Sequence, residues 1–297
     1  MKKNKKGACD EKIRSFAVCV FAACFLRGFA EEDTVFDFSA GSAVTGESAQ
    51  SAAEKTQQEE SGVPWTFPIA REILDDPDGV LILVNKENLL DKSYPDQSTL
   101  VTATVRKASS SKMQGRDIAY AALEKMFAGA EADGIKLYLK SAYRTYRTQE
   151  VMHYNRVQKL GYDDGVVQEA GASEHQTGMA FDVICKSFLD KKMSAAFDKT
   201  DEGKWLAAHC AEYGFIIRYL EGKEDITGIA YEPYHFRYVG VEVATYMMAN
   251  NLTLEEFTAE ARRAITLYDA GMDWDTPLEP VPQPEQTFEA ETDDFTF

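Results

Sequence analysis

Two stretches that lie far apart in the chain have to meet in its fold. The first, Ser173-Glu174-His175-Gln176-Thr177-Gly178-Met179-Ala180-Phe181-Asp182, places an imidazole seven residues ahead of a carboxylate, with a glycine between them. The second, Glu232-Pro233-Tyr234-His235, sets a carboxylate three residues before another imidazole. Brought together, they supply two His and one Asp as metal donors and leave one Glu over as a base. A catalytic zinc uses that count: three protein ligands, one open position and a carboxylate beside it.

The competing reading is ordinary structure. Only four His occur in the chain, so their placement carries information. His153 falls in a helical stretch and reads as a surface residue; His209, beside Cys210, reads as structural. The same bland reading applies to His175 and His235 taken singly. Spacings of this kind also arise without chemistry, so on spacing alone the metal site and the structural reading stand side by side.

Charge narrows the function classes. The net charge is −17 over 297 residues, unevenly distributed. Residues 1–30 carry seven basic and two acidic side chains. Residues 31–62 hold eight acids and one Lys, and residues 273–297 hold eight acids and no base. The segment between is only mildly acidic. Nucleic-acid binding needs a basic face, and none is evident.

The N-terminus reads as an export signal. A basic stretch from Lys2 to Arg14 precedes an apolar run from Ser15 to Leu26, and Gly28-Phe29-Ala30 offers a cleavage site. A second option is a loose lipoprotein box, Phe21-Ala22-Ala23-Cys24, which would end the signal near residue 24 and attach the chain to a membrane. The run is short for a spanning helix, which needs about 20 apolar residues. The expected organisation is a signal over 1–30, a disordered acidic linker over 31–62, a zinc peptidase domain over 63–272 and a disordered acidic tail over 273–297. Of five Cys, only Cys185 and Cys210 fall in that domain, too few for a disulfide framework. They either pair or stay as buried thiols.

Periodicity gives the elements. Val80–Val84 reads as a strand, and Tyr94–Val105 as extended. Gln114–Ala130 has helical spacing, and Lys136–Ser141 alternates like a half-buried strand. Thr148 is a candidate cap for a helix over Gln149–Leu160, with a loop over 161–172. Strands are expected at Met179–Ile184, Phe215–Tyr219 and Tyr234–Val239, and helices at Asp201–Tyr213, Glu242–Asn250 and Leu254–Leu267, the last capped by Thr253. Helices and strands mix without strict alternation, which predicts an α+β fold with an antiparallel sheet.

Three motifs then carry a resemblance. Ser141-Ala142-Tyr143-Arg144-Thr145, the segment 173–182 and Glu232-Pro233-Tyr234-His235-Phe236-Arg237-Tyr238-Val239-Gly240 resemble, in order and spacing, the signatures of the VanY-like D-alanyl-D-alanine carboxypeptidases. That family shares the Hedgehog/D,D-peptidase-like fold, a small antiparallel sheet carrying zinc and flanked by helices. Ile82-Leu83-Val84-Asn85 is similar to the family's domain start, and the resemblance covers about residues 78–250. Tyr234 stands where the family usually has Trp; the aromatic bulk is kept, and little effect is expected.

The resemblance implies roles. His175, Asp182 and His235 would bind Zn2+, Glu232 would be the general base, and Arg144 would meet the charge on the scissile carbonyl. Ser173 and Gln149 would hold the terminal D-Ala, and Tyr219 would line the pocket. The bland alternatives are a surface Arg144, a helix or turn cap at Ser173 and a core Tyr219. The implied activity is a D,D-carboxypeptidase acting on peptidoglycan stem peptides outside the cytoplasmic membrane, with the chain acting as a monomer. Its rivals are an L,D-carboxypeptidase on tetrapeptide stems, a D,D-dipeptidase and a non-catalytic Hedgehog-like module that retains zinc.

Overall fold

The structure, a computed structural model, describes residues 63–276. The segments read from sequence as export signal (1–30) and linker (31–62), and residues 277–297 of the expected tail, lie outside the described residues. In chain order the elements are α1 (Arg71–Leu74), β1 (Leu100–Thr102), β2 (Gln114–Arg116), α2 (Asp117–Ala132), β3 (Leu137–Ser141), α3 (Tyr146–Leu160), β4 (Ala180–Cys185), α4 (Asp201–His209), β5 (Phe215–Ile217), α5 (Glu224–Thr227), β6 (His235–Tyr238), α6 (Val241–Ala249) and α7 (Leu254–Asp269).

Four strands form one antiparallel sheet in the order β3-β4-β6-β5, and β1 pairs with β2 in a separate ribbon. The expected mixture of helices around an antiparallel sheet is what the chain adopts. Every residue of β4 is buried, so this strand is covered on both faces. One core packs α2 and α4 against the sheet, through Leu123, Met126, Leu139, Phe181, Val183, Leu206, Phe215 and Phe236. The other gathers α6, α7 and the N-terminal segment around Phe67, Val243, Met247, Leu254 and Phe257. Strand alternation explains the split: Phe215 and Ile217 face the first core and Ile216 the second.

Two helix starts differ from expectation. Gln114–Arg116 is a strand paired with Leu100–Thr102, so α2 begins only at Asp117. The extended backbone suits Gly115, where an added Cβ would lie 2.7 Å from the Phe181 ring. Helix α3 starts at Tyr146 and is capped by Thr145, whose hydroxyl accepts from the Thr148 N–H at 3.1 Å. Thr148 is thus the donor in the first turn rather than the cap. Thr253 caps α7 as expected, in a reciprocal pair with Glu256.

Val80–Val84 is not a strand. Side chains meet part of its polar backbone instead: the Asp76 carboxylate accepts from the Val80 and Leu81 N–H groups, and Arg237 Nη2 donates to the carbonyls of Val80 and Ile82. A β-branched run needs a ladder partner to become a strand, and here a buried guanidinium takes that place. Trp274, within the stretch 273–297 that the sequence assigns to the tail, packs edge-on against Phe67 with ring centroids 4.7 Å apart and lies under the Arg263 guanidinium. Cys185 and Cys210 are both buried free thiols.

Candidate active site

Asp182 sits in β4 directly opposite His235 in β6. Side chains at facing positions of antiparallel strands lie about 5 Å apart, so the register alone joins the two motifs. His175 comes from the short 3-10 helix Glu174–Thr177 that leads into β4. Gly178 ends that helix at φ +72°, and a Cβ there would lie 3.1 Å from the Arg116 backbone nitrogen. Glycine is therefore needed to turn the chain from His175 into the strand that carries Asp182.

The three donors converge. His175 Nε2 is 3.3 Å from Asp182 Oδ2, and His235 Nδ1 is 2.9 Å from Asp182 Oδ1. One ligand atom from each of the three residues lies within 4.8 Å of the other two, and all three residues are buried. His175 Nδ1 lies 2.9 Å from the Ala142 carbonyl. That carbonyl fixes the His175 proton on Nδ1 and leaves the Nε2 lone pair facing Asp182. Neutral nitrogen and carboxylate oxygen in a tight, buried triad suit zinc, and the second nitrogens point away from the centre as a metal site requires.

Burial lowers the pKa of His175, which keeps it in the ligating form. Burial also works against an ionised Asp182, but the two imidazoles outweigh it and hold the carboxyl well below its usual range. His235 is pushed the other way: despite burial, Asp182 and Glu174 hold it up at about 9. A metal binding at Nδ1 would therefore displace a proton.

The remaining predicted residues line the same cavity of about 200 Å³, together with Met152, Val167 and Met193. Glu232 is half-buried, and burial raises its pKa against the pull of His235 and a hydrogen bond from Tyr234. Arg144 is half-buried; it senses Asp182 and Glu232 and donates through Nη1 to Gln149 Oε1 at 2.7 Å. It is therefore no free surface arginine. Gln149 is 1% exposed, and its nitrogen donates to the Gln168 carbonyl, so both ends of its amide already hold protein groups. Its evident task is to steady Arg144. Ser173 precedes the 3-10 helix without making a side-chain capping bond, which removes the turn-cap alternative. The Tyr219 and His235 ring centroids lie 5.1 Å apart, tilted by 33°, and the Arg218 guanidinium carbon lies 4.9 Å from the Tyr219 ring centroid. The other two His stand apart from the centre: His153 lies 3.0 Å from Asp163, and His209 stacks on Trp205.

Sequence reasoning missed the layer beneath the triad. Glu174, Arg218 and Arg237 have no exposed side-chain surface. Glu174 Oε1 accepts from Arg218 Nε and Arg237 Nη1, both at 2.7 Å. Arg218 also donates through Nη1 and Nη2 to Glu255 at 2.8 and 2.7 Å. Burial alone would raise the Glu174 pKa, and the two guanidiniums hold it down instead. Two carboxylates thus balance two guanidiniums, as buried charges require. Glu174 stands between Ser173 and His175 in a motif already singled out, and only its polarity hinted at burial with a partner.

The chain matches the family model described as VanY, D-alanyl-D-alanine carboxypeptidase, over residues 112–241. It is 40% identical over 197 residues to YodJ of Bacillus subtilis (strain 168), which carries the name of a carboxypeptidase; the match covers 65% of this chain and 71% of that protein. It is 31% identical to a D-alanyl-D-alanine carboxypeptidase of Enterococcus faecalis (strain ATCC 700802 / V583), over 65% of this chain and 70% of the relative. Among solved structures, that of the LdcB LD-carboxypeptidase shares 39% identity and a TM-score of 0.58, covering 62% of this chain and 87% of that one. The family match takes in both site motifs and the sheet that joins them, and the chain belongs to the VanY family of D-alanyl-D-alanine carboxypeptidases.

Proposed function

We propose that the protein is a zinc-dependent D,D-carboxypeptidase that removes the terminal D-Ala from peptidoglycan stem peptides. The observation that carries this reading is the buried His175–Asp182–His235 triad with Glu232 and Arg144 lining the same cavity. A bound zinc would supply Lewis acidity and a water acidic enough to attack near neutral pH. Glu232, partly desolvated and close to the triad, takes the proton of the attacking water and returns it to the leaving amine. Arg144, steadied by Gln149, meets the negative charge that grows on the carbonyl oxygen. The Ser173 hydroxyl is a donor for the substrate's terminal carboxylate, which must be hydrogen-bonded to be buried. A base retained beside three metal donors also speaks against a pure binding module, which has no use for one.

The likeness to LdcB supports a second reading, L,D-carboxypeptidase action on tetrapeptide stems. One experiment separates them. The zinc-loaded full chain is incubated with pentapeptide and tetrapeptide stems, and products are read by mass. Loss of one D-Ala from the pentapeptide supports the D,D reading. Cleavage of the tetrapeptide alone replaces it with the L,D reading, and cleavage of neither overturns both.

We further propose that the chain is exported and is either released or held at the membrane through its N-terminus. The basic-then-apolar order of residues 1–30 supports this. Cell fractionation tests it, and labelling with a lipid precursor separates acylation of Cys24 from cleavage after Ala30. An unprocessed cytosolic protein would overturn the export reading.

A further inference from the structure

An imidazole offers one nitrogen to a metal, and the proton on the other decides which. His235 Nδ1 faces Asp182 at 2.9 Å, on the side where His175 Nε2 also converges. His235 Nε2 lies on the opposite edge of the ring, and Glu174 Oε2 stands 3.7 Å from it. That separation is just beyond hydrogen-bond range. Both atoms are buried, and neither has a hydrogen-bond partner among the described residues. A buried donor or acceptor left unmet costs about 1–3 kcal/mol. A ring nitrogen and a carboxylate oxygen left over on facing groups are natural partners for each other.

Glu174 is not free to turn away. Its other oxygen is gripped by Arg218 and Arg237. Arg218 is in turn tied to Glu255 in the first turn of α7, and Glu255 also accepts from Asn85. Arg237 is tied to the carbonyls of Val80 and Ile82. The carboxylate is thereby aimed with Oε2 toward the imidazole.

We propose that Glu174 is the positioning residue of His235. Its Oε2 accepts a hydrogen bond from the Nε2–H and holds the ring in the tautomer that turns the Nδ1 lone pair toward the metal, while Arg218, Arg237 and Glu255 hold Glu174 to that task. The inference rests on the metal reading above. It also extends the metal centre beyond the family-matched segment, because Glu255, Val80 and Ile82 all lie outside residues 112–241.

The test uses the full chain, loaded with zinc and labelled with 15N in histidine. Long-range proton–nitrogen correlation is expected to show His235 protonated at Nε2 and metal-bound at Nδ1. A zinc-loaded wild type with the His235 proton on Nδ1 would overturn the inference while leaving the metal site intact. Zinc affinity, measured by competition with a chelating indicator, is expected to fall about 10- to 100-fold in Glu174→Gln. Glu255→Gln is expected to lose less, in the same direction. Metal-free thermal unfolding reports whether each variant folds. A folded Glu174→Gln with wild-type zinc affinity would also overturn the inference. If Glu174→Gln does not fold, the wild-type tautomer and the Glu255→Gln affinity decide, since neither needs that variant. A wild type that takes up no zinc defeats the metal reading itself, an outcome distinct from a zinc-loaded protein with the wrong tautomer.

Discussion

The Tyr234 hydroxyl donates to Glu232 Oε1 at 3.1 Å, so the residue at the aromatic position of the second motif touches the proposed base directly. From sequence alone Tyr234 supplies aromatic bulk, and the exchange of Trp for Tyr is expected to have little effect. The hydroxyl does more: it orients one carboxylate oxygen of Glu232 and, as a donor to it, favours the ionised form.

Tyr234→Phe keeps the ring and removes that donor. Hydrogen bonds to charged groups contribute about 1.5–3 kcal/mol, and part of that loss is recovered by solvent in an open cavity. Turnover is expected to fall about tenfold in steady-state kinetics, with zinc content unchanged. Full activity in Tyr234→Phe would show that the contact is incidental to catalysis.

Metal binding and proton transfer separate by mutation. His175→Ala and His235→Ala each remove one of three donors, and metal analysis should find the expected one zinc per chain lost. Glu232→Gln leaves all three donors in place, so zinc is retained. Its amide cannot accept a proton, and turnover should drop on the order of 10²–10⁴-fold. A Glu232→Gln protein as fast as wild type would leave the base unassigned.

Arg144 and Gln149 act as a pair through the 2.7 Å bond between them. Arg144→Ala is expected to lower kcat on the order of 10²–10³-fold, the effect of deleting a donor to a developing oxyanion. Gln149→Ala leaves the guanidinium present but unsteadied and should cost less. The double variant should be little worse than Arg144→Ala, because the glutamine works through the arginine. Additive losses in that cycle would point instead to a direct contact between Gln149 and substrate.

Ser173 lines the cavity next to the triad and makes no capping bond. Ser173→Ala should raise KM for a peptide with a free C-terminal D-Ala while zinc content stays constant. With a C-terminally amidated peptide, most of the difference between wild type and Ser173→Ala should vanish, since the carboxylate partner is already gone. If the amidated peptide were cleaved as well as the free acid, recognition of the chain end would fail and an endopeptidase would be the better description.

What the sequence determined by itself was the inventory of the site and the elements that carry it. His175, Asp182, Glu232 and His235 were legible because metal donors and bases are few residue types, and their spacing survives in one dimension. The amphipathic α2, the Thr253 cap of α7 and the apolar run that flanks Asp182 in β4 were legible because propensity and periodicity are local. Tertiary structure decided which of these groups meet. The opposition of Asp182 to His235 is a matter of strand register, and a shift of one residue would turn Asp182 to the other face of the sheet. The fate of Val80–Val84 depended on Arg237, more than 150 residues away, claiming its carbonyls. Glu174, Arg218, Arg237 and Glu255 read as ordinary charges in sequence, where charged residues signal solvent. Only the fold buries them against one another beneath His235, because the Coulomb attraction that balances their desolvation exists solely at the distances the fold creates.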